Sequence, residues 1–298
     1  MTYSDVEKPT EAGTDHVVAM VPYYLKLGGK LVDVPLDQLD WPIGRPPGLT
    51  GQKVGDLDAS AHIYTFPRRW VFSGKLRGLK AQLSLLLVEP KSFHWHYMWL
   101  AKLFHRRFYR VLTCNPDLLA AIPNGAFFVF GDTWVPDWRN KDVTKTEMAS
   151  LIASDRRRLK GHKLRHKIVK RVRAEGLDVD IMGRGYRFFE DKAEGLAPYR
   201  YSVVIENSRE PGYFTEKLID AFLLNTVPIY WGAPDIATFF DPNGMWICES
   251  EDQIMAAIGK MSKADYADKL LAIAANHETA QLYVSMNERA ARLIEASL

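Results

Sequence analysis

The chain has 298 residues, of which 47% are hydrophobic and 25% are charged, as in a globular protein with one large domain or two. Its net charge of +3 is too small to indicate a nucleic-acid-binding protein by itself. Its only two cysteines, Cys114 and Cys248, exclude a disulfide framework and a cysteine-rich metal site.

The first fifteen residues, MTYSDVEKPTEAGTD, are polar and acidic, and we expect them to be disordered. They lack the apolar core of a secretory signal peptide. No apolar run in the chain approaches the roughly 20 residues that a membrane-spanning helix needs. The sequence therefore predicts no transmembrane segment and a cytoplasmic location.

In the first half of the chain, short apolar runs alternate with segments of helical character. AHIYTF, AQLSLLLVE, YRVLTC and AFFVFG predict strands, HWHYMWLAKLFHRR and PDLLAAI predict helices, and HVVAMVPYYL is compatible with either. This alternation is typical of βαβ units around a buried parallel sheet.

The polar segment WVPDWRNKDVTKTE predicts a linker, after which the alternation starts again. Strands are predicted at EMASLIAS, LDVDIMG, YSVVIE and VPIYWG, and helices at about 160–174, at TEKLIDAFLL, at EDQIMAAIGKM and from about 263 onward. We predict two doubly wound α/β domains, residues 1–144 and 145–298. Ligands of such sheets bind beyond the carboxyl ends of the strands.

One lysine stands where helix electrostatics disfavour a positive charge. Thr215 is a typical N-cap and Glu216 suits the positive end of a helix, but Lys217 does not. A phosphate or diphosphate at this helix end would explain the lysine, because the ammonium and the backbone N–H groups could share the anion. The alternative is a lysine that points to solvent, at a cost of about a few tenths of a kcal/mol.

A strongly basic segment precedes this lysine. Residues 156–173, RRRLKGHKLRHKIVKRVR, hold ten Lys or Arg. Most of these charges are expected on a solvated helix face, and Arg165 is the one that we expect to clamp a diphosphate. Binding of nucleic acid or another polyanion is the rival use of the segment.

The stretch IENSREPGYFTEKLIDAFLLNTVPIYWGAP closely resembles the donor-binding segment of the family 10 α-1,3/1,4-fucosyltransferases. In that family a strand ends in Glu-Asn, and Tyr-x-Thr-Glu-Lys opens a helix that leads to a strand with Val/Ile-Pro. The matching residues are Glu206, Asn207, Tyr213, Thr215, Glu216, Lys217 and Pro228. The likeness extends more loosely over about residues 147–250 and fades in the first half of the chain.

The resemblance implies a GT-B fold, with two Rossmann-like domains facing a cleft and GDP-fucose held by the C-terminal domain. It assigns the GDP phosphates to Lys217 and Arg165 and the ribose hydroxyls to Glu216. Thr215 and Tyr213 then belong to the donor pocket, and Glu206 and Asn207 lie beside the fucose. The implied reaction is an inverting, metal-independent and cofactor-free transfer of L-fucose to a glycan hydroxyl, with α linkage in the product. The absence of an anchor and of disulfides resembles the bacterial members.

Such a transfer needs a general base for the acceptor hydroxyl. The family is expected to use a carboxylate of the N-terminal domain, and Glu89 follows the apolar run LSLLLV and precedes Pro90. Partial desolvation would raise its pKa to a useful value. The alternatives are a strand-end charge that reaches solvent and, as the second candidate for the base, Asp132.

Four other patterns are weaker. Asp178 and Asp180 spell the D-x-D of metal-dependent transferases, but we expect them inside a strand. His94 and His96 are two residues apart, so a helix would not place them on one face for a metal, and contact with the acceptor is the alternative. We expect Trp95, Tyr97 and Trp99 in the core, but any of them that face the cleft could stack on an acceptor sugar. His94, Trp95 and Asp132 are the candidate acceptor-binding residues. Gly183 and Tyr186 lie in a strand-end loop where contact with guanine is plausible.

Two rivals to the fucosyltransferase interpretation stay open. One keeps the fold and uses another nucleotide-sugar donor. The other is a non-catalytic nucleic-acid or polyanion binder that uses residues 156–173, although it gives the Tyr-Phe-Thr-Glu-Lys segment no role.

Overall fold

The computed structural model describes residues 16–298, so the disorder expected for residues 1–15 lies outside the described residues. By internal contacts the chain forms two compact units. The described part of the first unit comprises residues 16–86, 103–111 and 287–298, and the second comprises residues 87–102 and 112–286. The domain boundary that the sequence suggests, between residues 144 and 145, stays a prediction.

The first sheet has five strands, which lie in the order of the sequence. They are β1 (Val18–Val21), β2 (His62–Thr65), β3 (Gln82–Leu86), β4 (Val111–Thr113) and β5 (Gly125–Phe127). The pairs β1–β2 and β2–β3 are parallel, and every residue of β1 and β2 is buried. The first apolar run, compatible with strand or helix from sequence, thus contains a strand.

The second sheet also has five strands, with the order β10-β9-β8-β6-β7 and parallel pairing throughout. They are β6 (Glu147–Ile152), β7 (Asp180–Met182), β8 (Tyr199–Ile205), β9 (Val227–Trp231) and β10 (Trp246–Ile247). The continuous apolar runs of β8 and β9 are typical of strands that are buried on both faces. Because the strands are parallel, the carboxyl ends of β6, β7 and β8 meet at one edge.

Eight α-helices accompany the sheets in the described part of the chain, and the helical segments predicted above are confirmed. They are α1 (Lys91–Phe104), α2 (Pro116–Ala121), α3 (Lys160–Glu175), α4 (Glu216–Leu223), α5 (Glu251–Lys260), α6 (Lys263–Asp268), α7 (Leu270–Gln281) and α8 (Met286–Glu295). Within residues 16–298 none of these helices combines the length and the apolarity that crossing a membrane requires.

The core of the second unit surrounds α4. Leu218, Ile219 and Phe222 are completely buried, and the helix packs against β8, β9 and α7. Asn225 follows it with a positive φ of 53°, a left-handed conformation that ends helices. The packing of α4 therefore fixes the position of its N-terminus.

Two local expectations are wrong. Trp95 and Trp99 are 65% and 61% exposed, because α1 turns Met98 and Ala101 inward and leaves the tryptophans on the outer face. Asp178 precedes β7, which begins at Asp180, so the two carboxylates do not share a strand. Asp180 accepts hydrogen bonds from Tyr199 and Arg187, which is a structural role.

Candidate donor site

A cavity of about 570 Å³ lies at the carboxyl ends of the strands of the second unit. Its walls are the loop after β6, the first turns of α3, the loop after β7 and the N-terminus of α4. This volume suits a small-molecule ligand. The site therefore lies where parallel α/β sheets are expected to bind one.

A glycine brings α3 against the end of β8. The backbone N–H of Gly161 donates to the carbonyl oxygen of Asn207 at 3.1 Å. A Cβ at this position would overlap the carbonyl oxygen of Glu206. Only glycine permits this approach, which places the first turns of α3 in the wall of the cavity.

Arg165 is the basic residue of the segment 156–173 that turns inward. It is only 5% exposed and lines the cavity. Its guanidinium donates to the carbonyl oxygen of Ile205, from Nε at 2.9 Å, and to Oδ1 of Asn207, from Nη2 at 3.0 Å. Its Nη1 makes no hydrogen bond within residues 16–298, so that end of the guanidinium keeps donor capacity for a ligand.

The remaining basic residues of this segment behave largely as a solvated helix face. Most are exposed. Arg171 pairs with Asp252 at 2.6 Å and with Glu175 at 3.2 Å, and Lys167 lies 3.5 Å from Glu251. The pairs with Asp252 and Glu251 connect α3 to α5, and the pair with Glu175 lies within α3.

The start of α4 is held by a buried carboxylate. Glu206, which is 0% exposed, accepts hydrogen bonds from the backbone N–H and the hydroxyl of Thr215, both at 2.8 Å. The hydroxyl oxygen of Thr215 in turn accepts from the backbone N–H of Lys217 at 3.4 Å, which confirms the predicted N-cap. Asn207 lines the cavity, whereas Glu206 is not part of its lining. The predicted contact of both residues with fucose stays a prediction.

Lys217 does not extend into solvent. Its Nζ lies 2.9 Å from the Thr215 hydroxyl, 3.0 Å from the Glu216 carboxylate and 3.5 Å from that of Glu206. Burial lowers the pKa of Lys217, but the charges of Glu216 and Glu206 outweigh burial and raise the pKa above its ordinary value. A fixed ammonium therefore stands at the N-terminus of α4, in the wall of the cavity.

Glu216 is ionised in spite of its burial. Burial raises the pKa of its carboxyl, but Lys217 and Lys192 outweigh that effect and hold the pKa at about 2. Its side chain lines the cavity. The site thus offers an ionised hydrogen-bond acceptor beside a fixed cation.

Two further candidates lie near this charge cluster. Tyr213 is 1% exposed, and burial, followed by the charges of Glu206 and Glu89, raises its pKa well above the usual value. Glu89 is half-buried, and its pKa is raised chiefly by desolvation. The Lys217 ammonium lowers the pKa of Glu89 and the Glu216 carboxylate raises it, so Glu89 lies within electrostatic range of the cavity wall.

The loop after β7 forms another part of the cavity wall. Gly183 lines the cavity with a φ of +104°, and a Cβ there would overlap the carbonyl oxygen of Ala153. Tyr186 lies behind the wall, where its hydroxyl bonds Nδ1 of His166 at 2.6 Å. Nε2 of His166 donates to the carbonyl oxygen of Arg156 at 3.1 Å, so His166 joins the loops that follow β6 and β7. Contact of Gly183 or Tyr186 with a nucleobase stays a prediction.

The predicted acceptor residues do not line this cavity. His94 lies at a kink of α1, with its ring 5.0 Å from that of Phe93, and burial followed by His96 lowers its pKa to about 4. Nδ1 of His94 is buried without a hydrogen-bond partner in the described structure. Asp132 is half-buried. Roles for His94, Trp95 and Asp132 stay predictions.

The rings of His94 and His96 are 6.4 Å apart between centroids. Residues 16–298 contain no group of three or more His, Cys, Asp or Glu side chains that could hold a metal ion. Independence from metal stays a prediction about the reaction.

Residues 143–257 match the model of the glycosyltransferase family 10 (fucosyltransferase) C-terminal domain. This part of the chain is therefore similar to a family 10 domain. Its sequence is 45% identical over 53 residues to the alpha-(1,3)-fucosyltransferase FucT of Helicobacter pylori. That segment is 18% of this chain and 11% of the relative, so the alignment spans only a small part of either protein.

Solved structures confirm the GT-B fold. An alpha1,3-fucosyltransferase crystallised with GDP-fucose matches with a TM-score of 0.50 and 18% identity, over 74% of this chain and 71% of that one. A UDP-forming alpha,alpha-trehalose-phosphate synthase from Burkholderia xenovorans matches with a TM-score of 0.56 and 10% identity, over 81% and 74% of the two chains.

The cavity also contains residues that the sequence did not single out. Lys192 pairs with the buried Asp220 at 2.6 Å, and Asp220 accepts from the Thr133 hydroxyl at 2.6 Å. The Lys192 ammonium lies 5.2 Å from the ring centroid of Trp134, which is 63% exposed at the cavity. Phe188, Arg156 and His162 also line the cavity.

Proposed function

We propose that the protein is an inverting fucosyltransferase, which moves L-fucose from GDP-β-L-fucose to a hydroxyl of a glycan and forms an α linkage. The observation that carries the proposal is the fixed ammonium of Lys217 at the N-terminus of α4, inside a nucleotide-sized cavity of a family 10 domain. An anion that reaches this position meets the ammonium and the backbone N–H groups together.

In the proposed reaction the cations act on the leaving group. The bond from fucose to the β-phosphate breaks, and negative charge grows on the departing GDP. Lys217, Arg165 and Arg156 line the cavity where we place the diphosphate. Cations fixed in advance stabilise such developing charge more than they stabilise the ground state. We therefore propose that transfer proceeds without a metal ion.

Glu216 is proposed to bind the ribose. Its carboxylate is ionised at neutral pH, since its pKa is about 2. An ionised carboxylate accepts hydrogen bonds from both hydroxyls of a ribose, and such charge-assisted bonds are the stronger ones.

Glu89 is proposed to accept the proton of the acceptor hydroxyl. Burial raises its pKa, which makes its carboxylate a stronger base than one in water. The nearby Lys217 ammonium acts in the opposite direction and favours the ionised carboxylate. We assign contacts with the glycan to His94, Trp95 and Asp132.

Two alternatives are retained. The likeness of the fold to a UDP-forming synthase leaves another nucleotide-sugar open as donor. A polyanion binder would use the exposed charges of residues 156–173, but Lys167 and Arg171 are already paired with acidic residues.

The test is calorimetric titration of the purified protein, in EDTA, with GDP-fucose, GDP-mannose, GDP and a UDP-sugar. We expect selective binding of GDP and GDP-fucose. Lys217→Ala should weaken that binding roughly 10- to 100-fold, because a hydrogen bond to a charged group contributes about 1.5–3 kcal/mol. Lys163→Ala, at an exposed position of α3, is the matched control and should bind as the wild type does.

Equal binding by the Lys217→Ala variant would refute the assignment of the diphosphate to α4. Selective binding of a UDP-sugar would identify the other donor class. Salt-sensitive binding of nucleic acid without nucleotide selectivity would favour the polyanion binder.

A further inference from the structure

His162 is a buried histidine in the wall of the donor cavity, and the proposed reaction assigns it no role. It belongs to the first turn of α3 and is 6% exposed. The same cavity is lined by Arg156, Arg165 and Lys217. A titratable imidazole thus stands among three cations at the place where the proposed function puts a diphosphate.

The hydrogen bonds of His162 define its protonation. The backbone N–H of Leu159 donates to Nδ1 at 3.3 Å, so Nδ1 is unprotonated. The neutral ring therefore carries its proton on Nε2. The side chain of Asn207 is a hydrogen-bond partner of the ring and also accepts from Arg165, so the imidazole and the guanidinium share one anchor after β8.

The surroundings hold this ring neutral. Desolvation, followed by the charges of Arg165, Arg156 and Lys217, lowers the pKa of His162 to about 4. Those cations face the ring from its own helix, from the loop before it and from α4. The lining of the cavity also contains the cations Arg184 and Lys192 and the carboxylates Asp155, Glu190 and Glu216. Glu216 and the neighbouring Glu206 pair with Lys217.

A bound diphosphate would reverse this balance. Its negative charges offset the three cations that oppose protonation, and an opposite charge within a few ångströms raises the pKa of a histidine by roughly 1–3 units. The proton comes from solvent and binds Nδ1, which then donates instead of accepting. The hydrogen bond from the Leu159 N–H to Nδ1 is then lost.

We propose that His162 takes up a proton when the diphosphate of the nucleotide-sugar binds, and so becomes a pH-dependent positioning residue of the donor site. The inference rests on the proposed function, because it requires a diphosphate in this cavity. It predicts that donor affinity increases as the pH falls, since the bound state holds more protons than the free state.

The test is calorimetry with GDP-fucose at pH 7.5, 6.5 and 5.5, each in two buffers that differ in ionisation enthalpy. GDP-fucose suits the experiment because its diphosphate diester has no group that titrates near neutral pH. His162→Asn is the informative variant, since its amide oxygen can still accept from Leu159 but cannot be protonated. His277→Asn, in α7 and outside the cavity lining, is the matched control.

We expect the wild type and His277→Asn to take up a fraction of a proton that grows toward pH 5.5, beyond any uptake by His162→Asn. If the diphosphate restores the ordinary histidine pKa of about 6.5, the affinity ratio of wild type to His162→Asn rises about tenfold between pH 7.5 and 5.5. Uptake by Glu89 is common to all three proteins and cancels in the comparison.

Equal proton uptake by wild type and His162→Asn would overturn the inference and leave the fucosyltransferase proposal intact. Absence of GDP-fucose binding by the wild type would overturn both. If His162→Asn fails to fold, the same question is answered on the wild type by NMR titration of the His162 ring. Its pKa should rise when GDP-fucose is added, and an unchanged pKa contradicts the inference.

Discussion

The charges around Lys217 explain why a lysine is tolerated at the positive end of a helix. Glu216 and Glu206 lie 3.0 and 3.5 Å from its Nζ and compensate the ammonium before any ligand arrives. Removing a partner from such a buried cluster leaves an uncompensated charge, which is destabilising. The position of the lysine is therefore defined by its neighbours, as a preorganised binding group requires.

Glu89 should determine how the rate of transfer depends on pH. Replacement by Gln removes the proposed base and should lower kcat by roughly 10²–10⁴-fold, while GDP-fucose binding persists. In the wild type, kcat should rise with pH as the carboxyl of Glu89 ionises. Because burial raises its pKa above the ordinary value of 4.5, this rise occurs at a higher pH than for an exposed glutamate. Steady-state kinetics across pH checks both points.

Glu147→Gln, at an exposed position in β6, is the control and should retain the wild-type rate. A Glu89→Gln variant with wild-type kcat and an unchanged pH profile would remove Glu89 from the mechanism. Asp132 would then be the next carboxylate to replace.

A single glycine determines how closely α3 approaches the end of β8. The contact of Gly161 with the end of β8 leaves no room for a Cβ, and Arg165 and His162 follow on the same helix. A methyl group there must displace the helix from the strand. The stability of the unit and the geometry of the cavity are therefore coupled at this position.

Gly161→Ala should lower stability and donor affinity together. Overpacking typically costs about 1–3 kcal/mol. Gly259→Ala in α5 is the matched control, because a Cβ there meets nothing within 4 Å. At that helical position alanine should stabilise by roughly 0.5–1 kcal/mol. Denaturant unfolding and GDP-fucose titration of both variants measure the effects, and wild-type behaviour of Gly161→Ala would contradict the close packing.

The strands and helices were largely predictable, because apolar runs and 3.6-residue periodicity directly report which faces are buried. Lys217 was predictable as a cavity residue, since Thr215 marks the start of its helix. Arg165 lies inside α3, where no local pattern distinguishes it from the other basic residues of the segment. The exposure of Trp95 and Trp99 was not predictable, because tertiary contacts decide which face of an apolar helix is exposed. The positions of Lys192 and Trp134 depend on their contacts with Asp220. Asp220 is distant in sequence from Trp134, so no local sequence pattern predicts this arrangement.

The last segment of the chain completes the first unit. The Tyr64 hydroxyl donates to the carbonyl oxygen of Asn287 at 2.8 Å, and the Tyr109 hydroxyl donates to that of Ser297. Ala291 and Ile294 of α8 are completely buried. Packing of this unit therefore depends on residues from both ends of the described chain.

Deletion of residues 287–298 should destabilise the first unit and spare the donor site. The deletion removes the buried face of α8 and exposes the side chains beneath it, whereas the cavity is lined by residues between 134 and 217. We expect rapid proteolysis within residues 16–86 but retained GDP-fucose binding. Deletion of Leu298 alone, which is 51% exposed, is the control. Loss of donor binding would contradict the independence of the donor site from residues 287–298. Unchanged resistance to protease would contradict their role in the stability of the first unit.

The chain passes between the two units after residues 86, 102, 111 and 286. A recombination event that exchanged either unit for that of a homologue would need four matched junctions, and a single crossover at any point between those junctions and the chain ends would leave at least the first unit with a hybrid core. Diversification of such a protein is therefore expected to proceed by point changes and loop insertions rather than by shuffling of whole domains. Laboratory chimaeras built to alter the acceptor should follow the same route and graft loops onto an intact chain.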